Sequence, residues 1–361
     1  MSYRRTKART AYIEWAKLHA SAKYNLAASG VRGVPLNELP VRLEELELSA
    51  AGSYGYPPLL ERLAKRYDVS TRNVACAIGT SMANYLAMSA VVEAGDEVIV
   101  EEPTYDPMLE VAKYLGASIK RLPRRPEHGW QVRIEDLQKI VSGKTRLIVL
   151  TNLHNPSGAL LEENTLRAIG EVAKSVGARV MVDEVYLELL FDRPFRSAFH
   201  FGEHFVVTSS LTKAYGLSGL RCGWILAAPE LAERIWHLND IFGNIPAHIT
   251  DRLSVIALDH LDTIRARTKN LLERNWKALD AFLAKHPERG VVRPAGGTIV
   301  FARVPGGNGD GFCKLLREKY ETSAVPGRFF EMPDHMRIGI GNDSAEVEEG
   351  LRRVSAALKE F

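Results

Sequence analysis

Cysteine is scarce in this chain: there are three in 361 residues, Cys76, Cys222 and Cys313, far apart in the sequence. An odd number of distant cysteines fits neither a disulfide framework nor a metal cluster, and it predicts free thiols in the reducing cytoplasm. The chain also lacks an uninterrupted apolar run of about 18 residues, so no segment is predicted to span a membrane. No secretory signal pattern follows Met1.

Net charge is equally small, at +3, and the basic residues form no long tract. The densest basic stretch is residues 4–9, which contains Arg4, Arg5, Lys7 and Arg9 and precedes the apolar pattern of residues 12–18. A nucleic-acid-binding arm and a transit peptide are two interpretations of this stretch. An N-terminal helix with a solvated basic end accounts better for the apolar spacing. We therefore predict neither a nucleic acid nor a membrane as a partner.

Short β-rich runs alternate with helical stretches between about residues 70 and 230. Strands are predicted at 74–78, 97–100, 117–122, 146–151, 179–182 and 205–209, and helices at 81–93, 108–115 and 162–176. This alternation predicts an α/β unit with a mostly parallel sheet covered by helices on both faces. Ligands of such sheets bind beyond the carboxyl ends of the strands, where helix N-termini open toward anions.

The pattern changes after Pro229, where helical periodicity dominates to about residue 285 and allows one long helix over 252–285. Strands interrupted by Gly296 and Gly297 are predicted within 291–304, a helix at 311–320, a strand at 336–340 and a helix at 345–358. The glycine-rich stretch 306–311 matches no phosphate-loop pattern and is interpreted as a surface turn. We divide the chain into an N-terminal arm with part of a small domain (1–48), a large domain (49–236), and linker helices with the rest of the small domain (237–361).

Residues 208–221 carry the strongest chemical signal. Lys213 follows a predicted buried strand, among small and hydroxyl residues, where partial loss of solvent makes an amine a usable nucleophile. The hydroxyls of Ser210 and Thr212 and the guanidinium of Arg221 offer a phosphate site beside it, because the planar guanidinium binds phosphate with two hydrogen bonds.

Three other strand ends supply complementary groups. Asp183 stands where an apolar strand stops, and Asn155 lies in the turn after another strand. Thr80 and Ser81 open a helix whose N–H groups can bind an anion. A lysine, an anion cradle, a buried carboxylate and an amide at one sheet edge meet the needs of pyridoxal 5′-phosphate (PLP): a Schiff base, a phosphate site and a protonated pyridine nitrogen.

Together these motifs resemble the markers of the aspartate aminotransferase superfamily (class I/II, fold type I). The resemblance is carried by Ser210-x-x-Lys213 with Gly216, Gly219 and Arg221-x-Gly223, by the turn Asn155-Pro156-Ser157-Gly158, and by the strand end Asp183-Glu184-Val185-Tyr186. The motifs occur in the family's order, and the resemblance extends from Tyr54 to the C-terminal helix.

The resemblance implies a fold-type-I PLP-dependent transferase, with a large sheet domain sandwiched by helices plus a smaller α+β domain, assembled as a homodimer. It implies an aminotransferase that moves an amino group from an amino acid to a 2-oxo acid through a Schiff base on Lys213, in ping-pong half-reactions. The same scaffold hosts PLP-dependent lyases, decarboxylases and oxidases, and a non-catalytic PLP-binding regulator is a further alternative.

Individual roles follow from the same resemblance. It implies catalytic roles for Lys213, Asp183 and Tyr186, and a substrate-binding role for Arg337, which would hold the α-carboxylate with Asn155 beside it. The implied cofactor contacts are Thr80, Ser81, Tyr105, Asn155, Asp183, Tyr186, Ser210, Lys213, Arg221 and, from the neighbouring subunit, Tyr54, with Tyr56 as its rival. Residues 25–31 replace the turn that usually touches the substrate in this family, so the identity of the amino acid stays open.

One motif points elsewhere. Residues 200–204 read H-x-x-E-H, from His200 to His204, which matches a zinc signature. Zinc binding by this motif requires both histidines on one helical face, whereas Gly202 interrupts the segment and a strand follows. We predict a solvated loop and no metal.

Overall fold

The computed structural model describes residues 8–49 and 53–361, so the basic residues Arg4, Arg5 and Lys7 lie outside the described residues. The helices are α1 (Ala11–Leu18), α2 (Pro57–Tyr67), α3 (Gly79–Ser89), α4 (Asp106–Tyr114), α5 (Ile134–Ile140), α6 (Glu163–Ser175), α7 (Pro229–Phe242), α8 (His248–Asp259), α9 (Leu261–Lys285), α10 (Gly309–Tyr320) and α11 (Ser344–Ala357). The strands are β1 (Tyr24–Asn25), β2 (Val74–Ile78), β3 (Glu97–Glu102), β4 (Ser118–Pro123), β5 (Thr145–Thr151), β6 (Arg179–Asp183), β7 (Phe205–Ser210), β8 (Cys222–Leu226), β9 (Ile299–Arg303), β10 (Thr322–Ser323), β11 (Val325–Pro326) and β12 (His335–Gly339).

A seven-stranded sheet forms the centre of the molecule, in the order β2-β8-β7-β6-β5-β3-β4. Its middle strands β5 and β6 each contain a continuous apolar run, residues 147–150 and 180–182, and these residues are buried. Strands that are buried on both faces need such continuous apolar runs, which explains why the sequence pattern identifies them. The predicted mostly parallel α/β sheet is confirmed.

One strand in this sheet runs against the others. β8 pairs antiparallel with both β2 and β7, whereas the neighbouring pairs from β7 to β4 are parallel. The carboxyl ends of β2, β3, β5, β6 and β7 therefore open at one edge of the sheet. The first residue of β8, and Arg221 just before it, lie at that same edge because β8 runs in the opposite direction.

The C-terminal part of the chain builds smaller sheets. β11, β12 and β9 form an antiparallel three-stranded sheet, and β1 pairs in parallel with β10, which joins the N-terminal segment to the C-terminal region. The long helix α9 packs against α11. A second apolar cluster, separate from the core of the large sheet, includes Tyr12, Trp15 and Phe330 and anchors α1, the predicted N-terminal helix.

Four details differ from the sequence-based expectation. The one long helix that the spacing allows over 252–285 does not form, because the chain turns at His260 (φ −112°, ψ 19°) between α8 and α9. Only β9 forms within 291–304. The strand β8 was not predicted, although all of its residues are buried. Half of the glycine-rich stretch is not a surface turn: Gly309 begins α10 and is buried, and a Cβ there would lie 2.4 Å from the carbonyl oxygen of His335.

No helix among residues 8–49 and 53–361 is long and apolar enough to cross a membrane. The three cysteines are buried and form no disulfide. The domain boundaries at residues 48 and 236 stay predictions.

Candidate active site

Lys213 faces a cavity of ≈ 650 Å³, part of it open to solvent, at the carboxyl edge of the large sheet. The lysine lies three residues past the end of β7. Its Nζ donates a hydrogen bond to Ser29 Oγ over 3.1 Å, and its carbonyl accepts from the N–H of Val31 over 3.0 Å. The cavity is lined by Tyr12, Ser29, Thr80, Ser81, Asn84, Tyr105, Thr151, Asn155, Asp183, Val185, Tyr186, Thr212, Lys213 and Arg221.

Asp183, the last residue of β6, places a buried carboxylate in the cavity wall. Its Oδ2 accepts from Asn84 Nδ2 over 2.9 Å, and its Oδ1 accepts from the N–H of Val185 over 3.0 Å. Burial raises the pKa of Asp183 to about 6, while the Asn84 hydrogen bond and the nearby Lys213 ammonium act in the opposite direction. The carboxylate is therefore held in place by donors, in surroundings that disfavour its charge unless a cation lies close by.

An anion cradle opens where β2 turns into α3. Thr80 and Ser81 lie in the first turn of α3, where backbone N–H groups are free of helical partners. Arg221 adopts a left-handed backbone conformation (φ +50°) before β8, and its Nη2 donates to the carbonyl of Ile78 over 3.4 Å. Gly79 has φ +73°, and a Cβ there would lie 2.2 Å from Arg221 Nη2. The glycine thus lets the guanidinium reach the helix N-terminus.

Arg337 lies behind the cavity wall rather than in it. The side chain is fully buried on β12, with Nη1 donating to Asn155 Oδ1 (2.9 Å) and Nη2 donating to Tyr12 OH (2.8 Å) and to the carbonyl of Ala27 (3.1 Å). Its Nε has no hydrogen-bond partner among the described residues. A buried guanidinium that faces only neutral acceptors retains capacity for an anion.

Aromatic rings form the rest of the wall. Tyr105, at the start of α4, packs edge-on against Tyr12 with ring centroids 5.7 Å apart. Burial raises the pKa of Tyr105 well above the usual value. At Tyr12, burial also acts to raise the pKa, but the charges of Arg337 and Lys213 and the Arg337 hydrogen bond together lower it. Tyr186, three residues after Asp183, is buried and borders the same cavity.

A buried polar network supports the turn that carries Asn155. The Asn155 N–H donates to Thr151 Oγ1 over 3.0 Å, and Thr151 in turn donates its N–H and hydroxyl to Glu101 Oε1 over 2.7 and 2.6 Å. Glu101 also pairs with Arg124 at 2.7 Å, and neither side chain contacts solvent. Burial raises the pKa of Glu101, while Arg124 and Thr151 act against that increase. The supporting roles of Thr151, Glu101 and Arg124 were not predicted from the sequence.

The structure brings most of the predicted site residues together. Nine border the cavity directly: Thr80, Ser81, Tyr105, Asn155, Asp183, Tyr186, Thr212, Lys213 and Arg221. Ser210 lies just beneath it and accepts a hydrogen bond from Thr80 Oγ1 over 2.7 Å. Tyr54 lies elsewhere: it is 50% exposed and donates to Asp240 Oδ2 on α7 over 3.0 Å. Its rival Tyr56 accepts from Arg252 over 2.8 Å.

Five cavity residues were not identified as site residues from the sequence: Tyr12, Ser29, Asn84, Thr151 and Val185. Tyr12 was assigned only to the apolar face of the N-terminal helix, and Ser29 lies in the atypical segment 25–31 without having been singled out. Asn84 had a usable signal, because it stands one helical turn after Thr80 and Ser81 and can share their face of α3. No local sequence pattern predicts that Tyr12 and Ser29 lie near Lys213, because both are far from Lys213 in the sequence.

The H-x-x-E-H segment is not an α-helix. His200 lies in a 3-10 turn (Ala198–Phe201), Gly202 follows with φ +145°, and the His204 ring packs 4.8 Å from that of Phe205. The absence of a metal stays a prediction.

Known proteins similar to this chain cover nearly all of it. The family model described as aminotransferase class I and II matches residues 45–354. Capreomycidine synthase of Streptomyces vinaceus is 29% identical over 350 residues, which cover 93% of this chain and 90% of that protein. A probable N-succinyldiaminopimelate aminotransferase of Mycobacterium tuberculosis is 30% identical over 297 residues, 80% of this chain and 73% of that protein. The crystal structure of a PLP-dependent aminotransferase from Streptococcus suis superposes with a TM-score of 0.93, at 27% identity and 98% coverage of both chains.

Proposed function

The chain belongs to the class I and II aminotransferases, and on that premise we propose that the cavity beside Lys213 binds PLP and is the site of transamination. The enzyme transfers an amino group from an amino acid to a 2-oxo acid. Family membership confirms the predicted fold class and the predicted cofactor. The observation that carries the proposal for the site is that Lys213, Asp183 and Arg221 border one cavity from three different strand ends.

The residues present fit the cofactor. The buried Asp183 carboxylate suits a protonated ring nitrogen, because a cation there would offset the cost of burying its charge. The lack of a Cβ at Gly79 leaves room for the Arg221 guanidinium next to the first turn of α3, and a guanidinium beside a helix N-terminus suits a phosphate. Tyr105 offers a ring face for stacking, as the resemblance implies.

When bound, the cofactor supplies an acceptor for the electron pair left at the substrate Cα after proton removal. The Lys213 amine is the group in the cavity suited to take that proton and return it. Asp183 would hold a proton on the ring nitrogen, and Arg337, with Asn155, would orient the substrate α-carboxylate through the guanidinium. Tyr105 and Tyr12 exclude water from this side of the cavity.

The absorption spectrum of the purified protein tests this assignment. With PLP, we expect a visible band that disappears when an amino acid is added and returns when a 2-oxo acid follows. Lys213→Ala is expected to abolish the band and the turnover, whereas the exposed lysine of α6, changed by Lys174→Ala, is expected to leave both unchanged. Ordinary turnover in Lys213→Ala would contradict the assignment.

A second reaction class has one observation in its favour: the relative from Streptomyces vinaceus is named a synthase rather than an aminotransferase. The alternative is a reaction in which the amino acid is rearranged or cleaved and no acceptor is needed. Product analysis separates the two classes. A stoichiometric product that forms from the amino acid without any 2-oxo acid would favour the second class.

We also propose that the protein is a homodimer. Large apolar side chains are exposed on α7 and next to it, with exposed fractions of 50% for Tyr54, 41% for Ile78, 77% for Ile241 and 50% for Phe242. This exposed patch borders the anion cradle, because Arg221 bonds to the carbonyl of Ile78. Exposed apolar groups of this size gathered on one face are typical of an interface, and a second copy seated there could place its Tyr54 against the phosphate.

Ile241→Asp tests the dimer. A charge at the most exposed side chain of this patch is expected to shift the protein toward monomer in sedimentation velocity experiments, because a carboxylate buried without a partner in the interface is costly. Leu18→Asp, at a leucine that is 67% exposed outside the patch, is the matched control. A monomeric wild-type protein, or a dimer unaffected by Ile241→Asp, would contradict the proposed interface.

The cytoplasm is proposed as the compartment. Support comes from the three buried cysteines, which remain unpaired in the structure.

A further inference from the structure

Ser29 is presented to Lys213 by a segment that is held along its length. The Asn25 side chain accepts from the N–H groups of Ala27 (2.9 Å) and Ala28 (3.1 Å). The carbonyl of Ser29 itself accepts from Thr298 Oγ1 over 2.6 Å. The position of Ser29 is therefore set by its neighbours and by the C-terminal region, and does not depend on its own hydroxyl.

The segment is also tied to the backbone of Lys213. The Val31 N–H bonds to the Lys213 carbonyl over 3.0 Å, and a Cβ at Gly30 would lie 3.4 Å from Lys213 Cδ. Residues 29–31 thus run alongside the lysine, with Ser29 at the level of the amine. Since Ser29 is only 6% exposed, water competes little for its hydroxyl.

Two other cavity hydroxyls are engaged with partners other than the lysine. Tyr12 OH accepts from Arg337, and Thr80 Oγ1 donates to Ser210. Among the described residues, the hydrogen bond of Ser29 Oγ is with Lys213 Nζ, at 3.1 Å.

We propose that Ser29 is a positioning residue that orients the free amine of Lys213 for proton transfer at the substrate Cα. The inference rests on the proposed function, in which Lys213 takes and returns that proton. Ser29 Oγ accepts a hydrogen bond from one N–H of the amine. This hydrogen bond restricts the orientation of the amine and so the direction in which its nitrogen lone pair points. Ser29 is neither protonated nor covalently changed in this role, and the transferred proton moves only between Lys213 and the substrate.

Ser29→Ala tests the proposal on the complete enzyme with PLP. Removing a hydrogen bond to a charged or reacting amine is expected to lower kcat by about tenfold, while the KM for the amino acid changes little because Ser29 does not hold the carboxylate. The kinetic isotope effect with Cα-deuterated amino acid is expected to increase, since proton transfer becomes more rate-limiting. Ser29→Thr, which keeps the hydroxyl, is expected to recover most of the rate.

Ser323→Ala is the matched control. Ser323 is equally buried and its Oγ bonds to Asn25 Oδ1 over 3.2 Å, so the change removes a hydrogen bond from the same segment without touching Lys213. We expect an unchanged kcat and isotope effect. An equal loss in both alanine variants would show a purely structural effect and overturn the proposal, as would wild-type kinetics in Ser29→Ala.

The readouts separate this proposal from the proposed function. A wild-type protein that shows no band with PLP refutes the proposed function, and the role of Ser29 with it. A wild-type protein that transaminates normally, with no kinetic change in Ser29→Ala, refutes the role of Ser29 alone. If Ser29→Ala does not fold, Ser29→Cys carries the same test, because a thiol is a weak hydrogen-bond partner. The same lower kcat and larger isotope effect are then expected.

Discussion

Replacing Asp183 by asparagine is expected to stabilise the cofactor-free protein at neutral pH. Asparagine has nearly the same shape as aspartate, and its Oδ1 can keep the hydrogen bond from the N–H of Val185. Its amide group can donate to Asn84 Oδ1 once the Asn84 amide turns over, because the Thr208 hydroxyl that now donates to Asn84 Oδ1 can accept from Nδ2 instead. The difference is the charge, which burial disfavours: the pKa of Asp183 rises from 3.8 to about 6. Converted at about 1.4 kcal/mol for each pH unit, this difference corresponds to about 3 kcal/mol.

The sign follows from proton binding. Between the unfolded and folded pKa values of Asp183, the folded wild-type protein binds more protons than the unfolded chain. The wild type therefore loses stability as the pH rises from 3.8 through about 6, and the loss persists above that value. The Asp183→Asn variant lacks this pH-dependent loss of stability, because asparagine does not titrate. The difference in free energy of unfolding between variant and wild type is thus expected to grow with pH, and about 2 kcal/mol of that growth falls between about pH 4.5 and 7.5.

Urea unfolding of the PLP-free proteins, followed by tryptophan fluorescence at several pH values, measures this difference. Asp262→Asn, at an exposed aspartate of α9, controls for the loss of a carboxylate that is in contact with water. The reasoning would be refuted by a variant whose advantage over wild type stays constant, within about 0.5 kcal/mol, across this pH range. In the same variant, transamination is expected to be lost, because the carboxylate that burial penalises is the one proposed to hold the ring nitrogen protonated.

Two further predictions concern groups around the site. Arg124→Met leaves the buried Glu101 carboxylate without its cation, so we expect a loss of about 3–5 kcal/mol in the free energy of unfolding; a loss below about 1 kcal/mol would show that the network tolerates the change. Gly79→Ala places a Cβ against Arg221 and is expected to weaken PLP binding by at least about tenfold in a fluorescence titration. Gly95→Ala is the matched control, because Gly95 also has a positive φ (+94°) but no atom lies within 4 Å of the added Cβ. Equal PLP affinity in the two variants would show that the clash with Arg221 has no effect.

The central strands and the residues that border the candidate site at their ends could be predicted because their signals are local. Continuous apolar runs mark β5, β6 and β7. Each run is followed within a few residues by a polar or charged side chain, which is unexpected so close to a buried strand and therefore suggests a functional role. The order of these groups along the chain is enough to suggest the family. Lys213, Asp183 and Asn155 were found in this way.

Features that depend on distant partners were not predicted. β8 is short and carries no catalytic group, yet its direction brings Arg221 to the edge where Lys213 lies. The break between α8 and α9 falls in a stretch with unbroken helical spacing, so no apolar pattern could reveal it. Glu101 and Arg124 lie on or beside separate strands, and only the sheet pairing shows that they form a buried ion pair.

The sequence by itself determined the type of fold, the cofactor and the residues that follow the carboxyl ends of the parallel strands, because each is encoded in a contiguous stretch whose burial and polarity are local properties. The tertiary structure decided which side chains border the Lys213 cavity from elsewhere in the chain: Ser29 and Tyr12 from the N-terminal segment, and Asn84 from the helix after β2. The physical reason is that their contacts result from long-range packing, which sets distances between residues that the sequence separates by more than a hundred positions.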